Sequence, residues 1–194
     1  MSDESPYKSP ADLQKTAEST LTWYQGISNY QWLVLLIASL GWVFDVFEGQ
    51  IFVASMNDAM PQLLGTSSSN IDEATQKVIS SWNSYALASF LLGGAFGGIL
   101  FGMLSDRIGR SKTVIYTILF YSVFTCITAF ANAPWQMVVL RFFVAMGVGG
   151  EWAVASAMVA EVMPKRSRPV MGSIFHASSV FGTLMAVAVG YFVI

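Results

Sequence analysis

Five ionisable side chains interrupt stretches that are otherwise apolar. Residues 40–52 read LGWVFDVFEGQIF, with Asp45 and Glu48 three apart and so on one face of a helix. Residues 135–162 are as apolar, yet hold Arg141, Glu151 and Glu161. A charge at the centre of a bilayer costs at least about 2.5 kcal/mol, so such groups usually face a cavity and do work. Asp45 and Arg141 are expected to pair, because Asp45 lies about 15 Å below Ser55 and Arg141 about 9 Å below Trp135, a gap that tilt and side-chain length close. Protonation of Asp45 would then release Arg141 and couple proton entry to a change of shape. The alternative is a static pair that only neutralises two buried charges. Glu151, in Gly149-Gly150-Glu151-Trp152, has three open roles: acceptor for a substrate hydroxyl, second proton site, or packing hydrogen bond. His176, with Ser173, Ser178 and Ser179 nearby, either faces the cavity or is a packing residue.

A second concentration of charge is the segment 102–112, GMLSDRIGRSK. Its glycines, Gly102 and Gly109, predict a tight turn, and Arg107, Arg110 and Lys112 anchor it at a membrane surface. Asp106 takes an Arg partner or caps an adjacent helix N-terminus. No metal-ligand spacing, nucleophile triad or phosphate loop is evident, so neither an enzyme nor a bound cofactor is expected.

The elements that must carry these residues follow from composition. Of 194 residues, 11% are charged, where soluble domains carry roughly 25%. The hydrophobic fraction is 54% and the net charge −2, which disfavours a water-soluble domain, a disordered chain and a nucleic-acid partner. One cysteine, Cys126, allows no internal disulfide. No Asp, Glu, Lys or Arg occurs in 19–44, 78–105, 113–140 or 169–194, and about 20 apolar residues suffice for a membrane helix. With the charged stretch after Trp135, this predicts five spans, about 30–55, 82–104, 112–131, 135–162 and 171–194, preceded by a tail over 1–29. The spans must be helical, because a lone strand leaves its backbone unsatisfied in lipid. An amphipathic stretch is expected around 13–23.

Eight basic residues sort to one side: Lys8, Lys15, Arg107, Arg110, Lys112, Lys165, Arg166 and Arg168. Only Lys77 falls opposite. The positive-inside rule then predicts a cytoplasmic N-terminus and an outward turn at 132–134. Glycines at 93, 94, 97, 98 and 102 make three small-xxx-small pairs in the second span, and 147, 149 and 150 repeat the theme in the fourth. Both predict close helix packing.

The 102–112 segment resembles the cytoplasmic loop signature of the major facilitator superfamily at Gly102, Leu104, Asp106, Arg107, Gly109, Arg110 and Lys112, with Ser111 in place of a basic residue. A second segment, from Arg141 to Pro169, is similar to one in sugar-porter-like members at Arg141, Gly147, Gly149, Glu161, Pro164 and Arg168. Ala145 and Pro169 stand there where glycines are usual. The resemblance implies an all-α membrane protein, the N-terminal helix bundle of such a carrier, with five of its first six helices. It implies that Asp106, Arg107, Arg110, Glu161 and Arg168, with Gly102 and Gly109, form a cytoplasmic gate in which Glu161 joins Arg107 or Arg110. It implies coupling and binding through Asp45, Glu48, Arg141 and Glu151, since the Asp-x-x-acid spacing and Gly-Glu-Trp resemble organic-anion and sialate-type proton symporters.

The function expected is proton-coupled symport of a small organic anion or sugar by alternating access, with the proton gradient as the coupling ion and no cofactor. The partners expected are the solute, the lipid bilayer and a C-terminal domain absent from this chain, whose apolar ending at 190–194 is expected of a fragment. The location expected is a bacterial inner membrane. The alternative is a truncated, non-transporting membrane protein or assembly subunit.

Overall fold

The computed structural model describes residues 22–66 and 72–193, and among them every regular element is a helix. Helix α1 covers Asn29–Leu63, α2 Glu73–Ile108, α3 Arg110–Thr128, α4 Pro134–Val162, α5 Arg168–Ala177 and α6 Ser179–Val193. α5 and α6 are interrupted only at Ser178 and form one span, so five stretches are long and apolar enough to cross a membrane. Lys8, Lys15, most of the expected amphipathic stretch at 13–23 and the last residue, Ile194, lie outside the described residues.

The spans are those expected, with different ends. α1 runs eight residues past Ser55, and α2 begins nine before Trp82. Lys77 therefore lies in a helix rather than a loop, paired with Glu73 one turn away at 2.9 Å. α2 starts at the N-cap Asp72, whose side chain accepts from the Thr75 amide at 3.0 Å. The Thr75 hydroxyl and amide together hold the Asp72 carboxyl below its ordinary range. α1 starts at a capping box, in which Ser28 Oγ accepts from the Gln31 amide and Gln31 Oε1 accepts from the Ser28 amide. Gln31 Nε2 also donates to the Val162 carbonyl at 2.7 Å, which joins the start of α1 to the end of α4. Pro134 and Pro169 each sit in a first helical turn, where a missing amide costs nothing.

Helix α4 is the centre of the bundle and packs on α1, α2, α3 and α5. Glycines let it approach. A Cβ on Gly97 would run into the Met146 backbone, one on Gly149 into the Gly94 backbone, and one on Gly147 into Tyr121 of α3. Gly102 does not belong to this set: nothing lies near its Cβ position, and it stands within α2 rather than in a turn. The turn between α2 and α3 is the single residue Gly109, whose φ of +94° is open to glycine and strained for other residues. α6 closes on α1 at Gly182, beside the Val43 carbonyl.

Two buried clusters lie at the two ends. One gathers Leu35, Ala38, Ala155, Val159, Met163, Met171 and Phe175, the other Met56, Met60, Ile79 and Ala86. Large apolar residues such as Leu91, Phe96, Ile99, Leu119 and Phe181 remain exposed, as an outer surface facing lipid requires.

Candidate functional site

Facing contacts set the register between α1 and α4. Arg141 Nη1 donates to Glu48 Oε1 at 2.9 Å, and Glu151 Oε1 lies where a Cβ on Gly41 would stand. These helices are antiparallel, so Asp45 falls between the two contacts, about 4.5 Å along the axis from Glu48. The expected Asp45–Arg141 pair is therefore replaced by Glu48–Arg141. The register places Glu48, one turn further along α1, opposite the guanidinium.

Arg141 is 3% exposed and sits over the Phe52 ring, 3.1 Å from its centroid, so a cation–π contact supplements the single hydrogen bond. Its Nε has no partner. Asp45 is 4% exposed, and neither carboxyl oxygen makes a hydrogen bond of good geometry. The Tyr121 hydroxyl on α3 and the Glu151 and Glu48 carboxyls are the groups that act on it. Glu151 is 3% exposed with Oε2 unpartnered. Three carboxyls thus share one guanidinium inside the bundle, and only Glu48 is paired with it. Unpaired buried carboxylates are costly, which makes Asp45 and Glu151 suited to carry protons.

A cavity of about 600 Å³ opens between α1 and α2, with Arg141 in its wall. Asp45, Gln50, Asn57, Asn83 and Ser84 give it polar groups; Trp42, Phe52 and Phe90 give it rings. An apolar groove between α2 and α4 shares Trp42, Phe90 and Val148 with it and adds Gly94, Gly98, Gly149 and Trp152. His176 is exposed on α5, with its ring against Trp152 and Phe175 at 5.9 and 5.0 Å.

The expected gate residues gather at the end of the bundle where α2, α3, α4 and α5 meet. Arg110 pairs with Asp106 at 2.9 Å and Glu161 at 2.8 Å, and also donates to Ser105 Oγ. Asp106 thus takes an arginine partner and caps no helix. Arg110 rather than Arg107 holds Glu161. Arg107 makes no ion pair among the described residues, and Arg168 Nε donates to the Met163 carbonyl at 3.1 Å. Residues 28–194 match the model of the family described as sugar (and other) transporter.

The chain belongs to that family, within the major facilitator superfamily. It is 34% identical over 83% of its length to a putative niacin/nicotinamide transporter of Bacillus subtilis, covering 37% of that protein. It is 29% identical over 87% to a gentisate transporter of Corynebacterium glutamicum, covering 35%. A gallate transporter of Pseudomonas putida matches at 26% over 92%, covering 36%. No solved structure matches. The chain spans about a third of the length of the curated relatives it matches.

Sequence reasoning missed Gly41, which makes room for Glu151, and Tyr121, which faces Asp45. It missed Phe52 under Arg141 as well. Phe52 stands four residues after Glu48, the one spacing that could have marked it.

Proposed function

We propose that this bundle is one wall of a proton-coupled carrier for a small organic acid, with a second helix bundle completing the pathway. The observation that carries the reading is Asp45, a buried carboxyl with no ion-pair partner among the described residues, in the wall of a cavity that also holds Arg141. Membership of the transporter family supports it, and relatives that carry gentisate and gallate favour acids over sugars. Asp45 binds and releases the coupling proton, Glu151 is a second protonatable group, and the solute leaves unmodified, so the protein is a carrier and not an enzyme. Alternating access arises as the two bundles rock about the site. The Asp106–Arg110–Glu161 cluster holds the gate end of this bundle, and Arg107 is available to the facing bundle. The basic end faces the cytoplasm of a bacterial inner membrane.

The test is uptake of labelled gentisate and nicotinate into liposomes holding the intact protein, with the inside made alkaline. Asp45→Asn is expected to abolish accumulation driven by the proton gradient while sparing exchange of labelled for unlabelled solute. Intact accumulation by the variant would remove Asp45 from coupling. Absence of any uptake by the unsubstituted protein would favour a non-transporting subunit.

A further inference from the structure

The ion pair inside the bundle is lopsided. Arg141 has a side chain 4% exposed, is fixed against Phe52 and uses one hydrogen bond on Glu48, leaving Nε unspent. The Glu48 side chain is 21% exposed and its Oε2 is unpartnered. That oxygen is itself buried, but of the two side chains Glu48 is the less enclosed. Four more polar atoms of the adjoining cavity are also without partners, Trp42 Nε1, Asn83 Oδ1 and the two oxygens of Asp45, the carboxyl that holds a proton in the carrier reading. A wall with two unspent buried donors, Arg141 Nε and Trp42 Nε1, fits a ligand that accepts hydrogen bonds and bears negative charge. The rings of Phe52 and Phe90 in the same wall suit an apolar body behind it.

We infer that the cavity between α1 and α2 binds a carboxylate on Arg141, and that Glu48 occupies this place as an exchangeable counterion when no solute is bound. The inference rests on the carrier reading for its solute class. Exchange of one carboxylate for another keeps the buried guanidinium neutralised, which avoids the penalty of an unpaired buried charge. Planar forks of guanidinium and carboxylate favour two parallel hydrogen bonds, and Glu48 makes one. A solute that used Nε as well would gain what Glu48 leaves unused, while Glu48, the less enclosed of the pair, swings off the guanidinium.

Calorimetric titration of the intact detergent-solubilised protein with nicotinate, gentisate, gallate and the neutral amide nicotinamide tests this. At least one acid is expected to bind, and nicotinamide is expected not to compete with it. Glu48→Gln removes the competing charge and should tighten acid binding about tenfold, while Arg141→Lys, which keeps the charge but loses the fork, should weaken it about tenfold. Weakening by Glu48→Gln to the same extent as Arg141→Lys would overturn the inference, because Glu48 would then only position Arg141. Equal binding of nicotinate and nicotinamide, or binding of none of the acids, would overturn it also. The nicotinate–nicotinamide contrast is read on the unsubstituted protein and holds if Glu48→Gln does not fold. Acid binding as described without uptake in liposomes would leave the site standing and remove the carrier reading.

Discussion

Arg110 is the hub at the basic end of the bundle, because one side chain reaches Asp106 in the last turn of α2, Glu161 on α4 and Ser105 on α2. Glu161 loses its ion pair if Arg110 is lost, whereas Arg110 keeps Asp106 if Glu161 is lost. Arg110→Gln is therefore expected to destabilise the protein more than Glu161→Gln. The Glu161 side chain is 56% exposed, so the pair itself is screened, and a double-mutant cycle on thermal unfolding should return a coupling of about 0.2–1 kcal/mol. A coupling near zero would mean that water replaces the pair at no cost. The individual charged residues were legible in the sequence because each interrupts an apolar run. Their pairing was not. Asp45 and Glu48 lie on one helix face, and which of them meets Arg141 depends on how far α4 slides along α1, a distance set by the whole interface and not by either segment.

At the scale of elements, the charge-free runs marked four of the five spans and apolar length marked the fifth despite its three charges, since a bilayer demands apolar length before anything else. They could not mark the ends. Residues 56–63 and 73–81 include Asn57, Asp58 and Lys77 and so fall outside an apolar window, yet both continue as helix with Met56, Met60 and Ile79 buried together. The glycine pattern was legible as packing, but its membership needed the structure. Gly97 lies against the Met146 backbone and Gly102 lies in open space, although both fit the small-xxx-small repeat. The backbone at Met146 cannot swing away as a side chain would. Gly97→Ala is expected to force α2 and α4 apart at a cost of about 1–3 kcal/mol, while Gly102→Ala leaves stability unchanged. Thermal unfolding of both variants in detergent measures the difference, and equal melting points would show that the α2–α4 approach is looser than the contact at Gly97 implies.

Over the whole molecule, the up-and-down path of the spans turns a sequence pattern into a surface. The ends of α2 and α4 and the starts of α3 and α5 bring Arg107, Arg110, Lys112, Lys165, Arg166 and Arg168 to one face, and the opposite face has Lys77, which is spent on Glu73. Asn132 lies exposed on that opposite face, in the connection between α3 and α4, and Ser111 lies exposed on the basic one, in the first turn of α3. Positive residues in short segments are retained on the cytoplasmic side during insertion, so the proposed orientation, with the basic face inward, is an expectation for every span at once. With Cys126→Ser removing the native thiol, a cysteine placed by Asn132→Cys is expected to react with a membrane-impermeant maleimide in intact cells. One placed by Ser111→Cys is expected to react only after the membrane is opened. The reverse pattern would put the basic face outside and with it the Asp106–Arg110–Glu161 cluster, which would then guard the outer mouth of the pathway. Labelling of both positions in intact cells would mean a mixed orientation, in which six basic residues on one face are not enough to hold the chain in place.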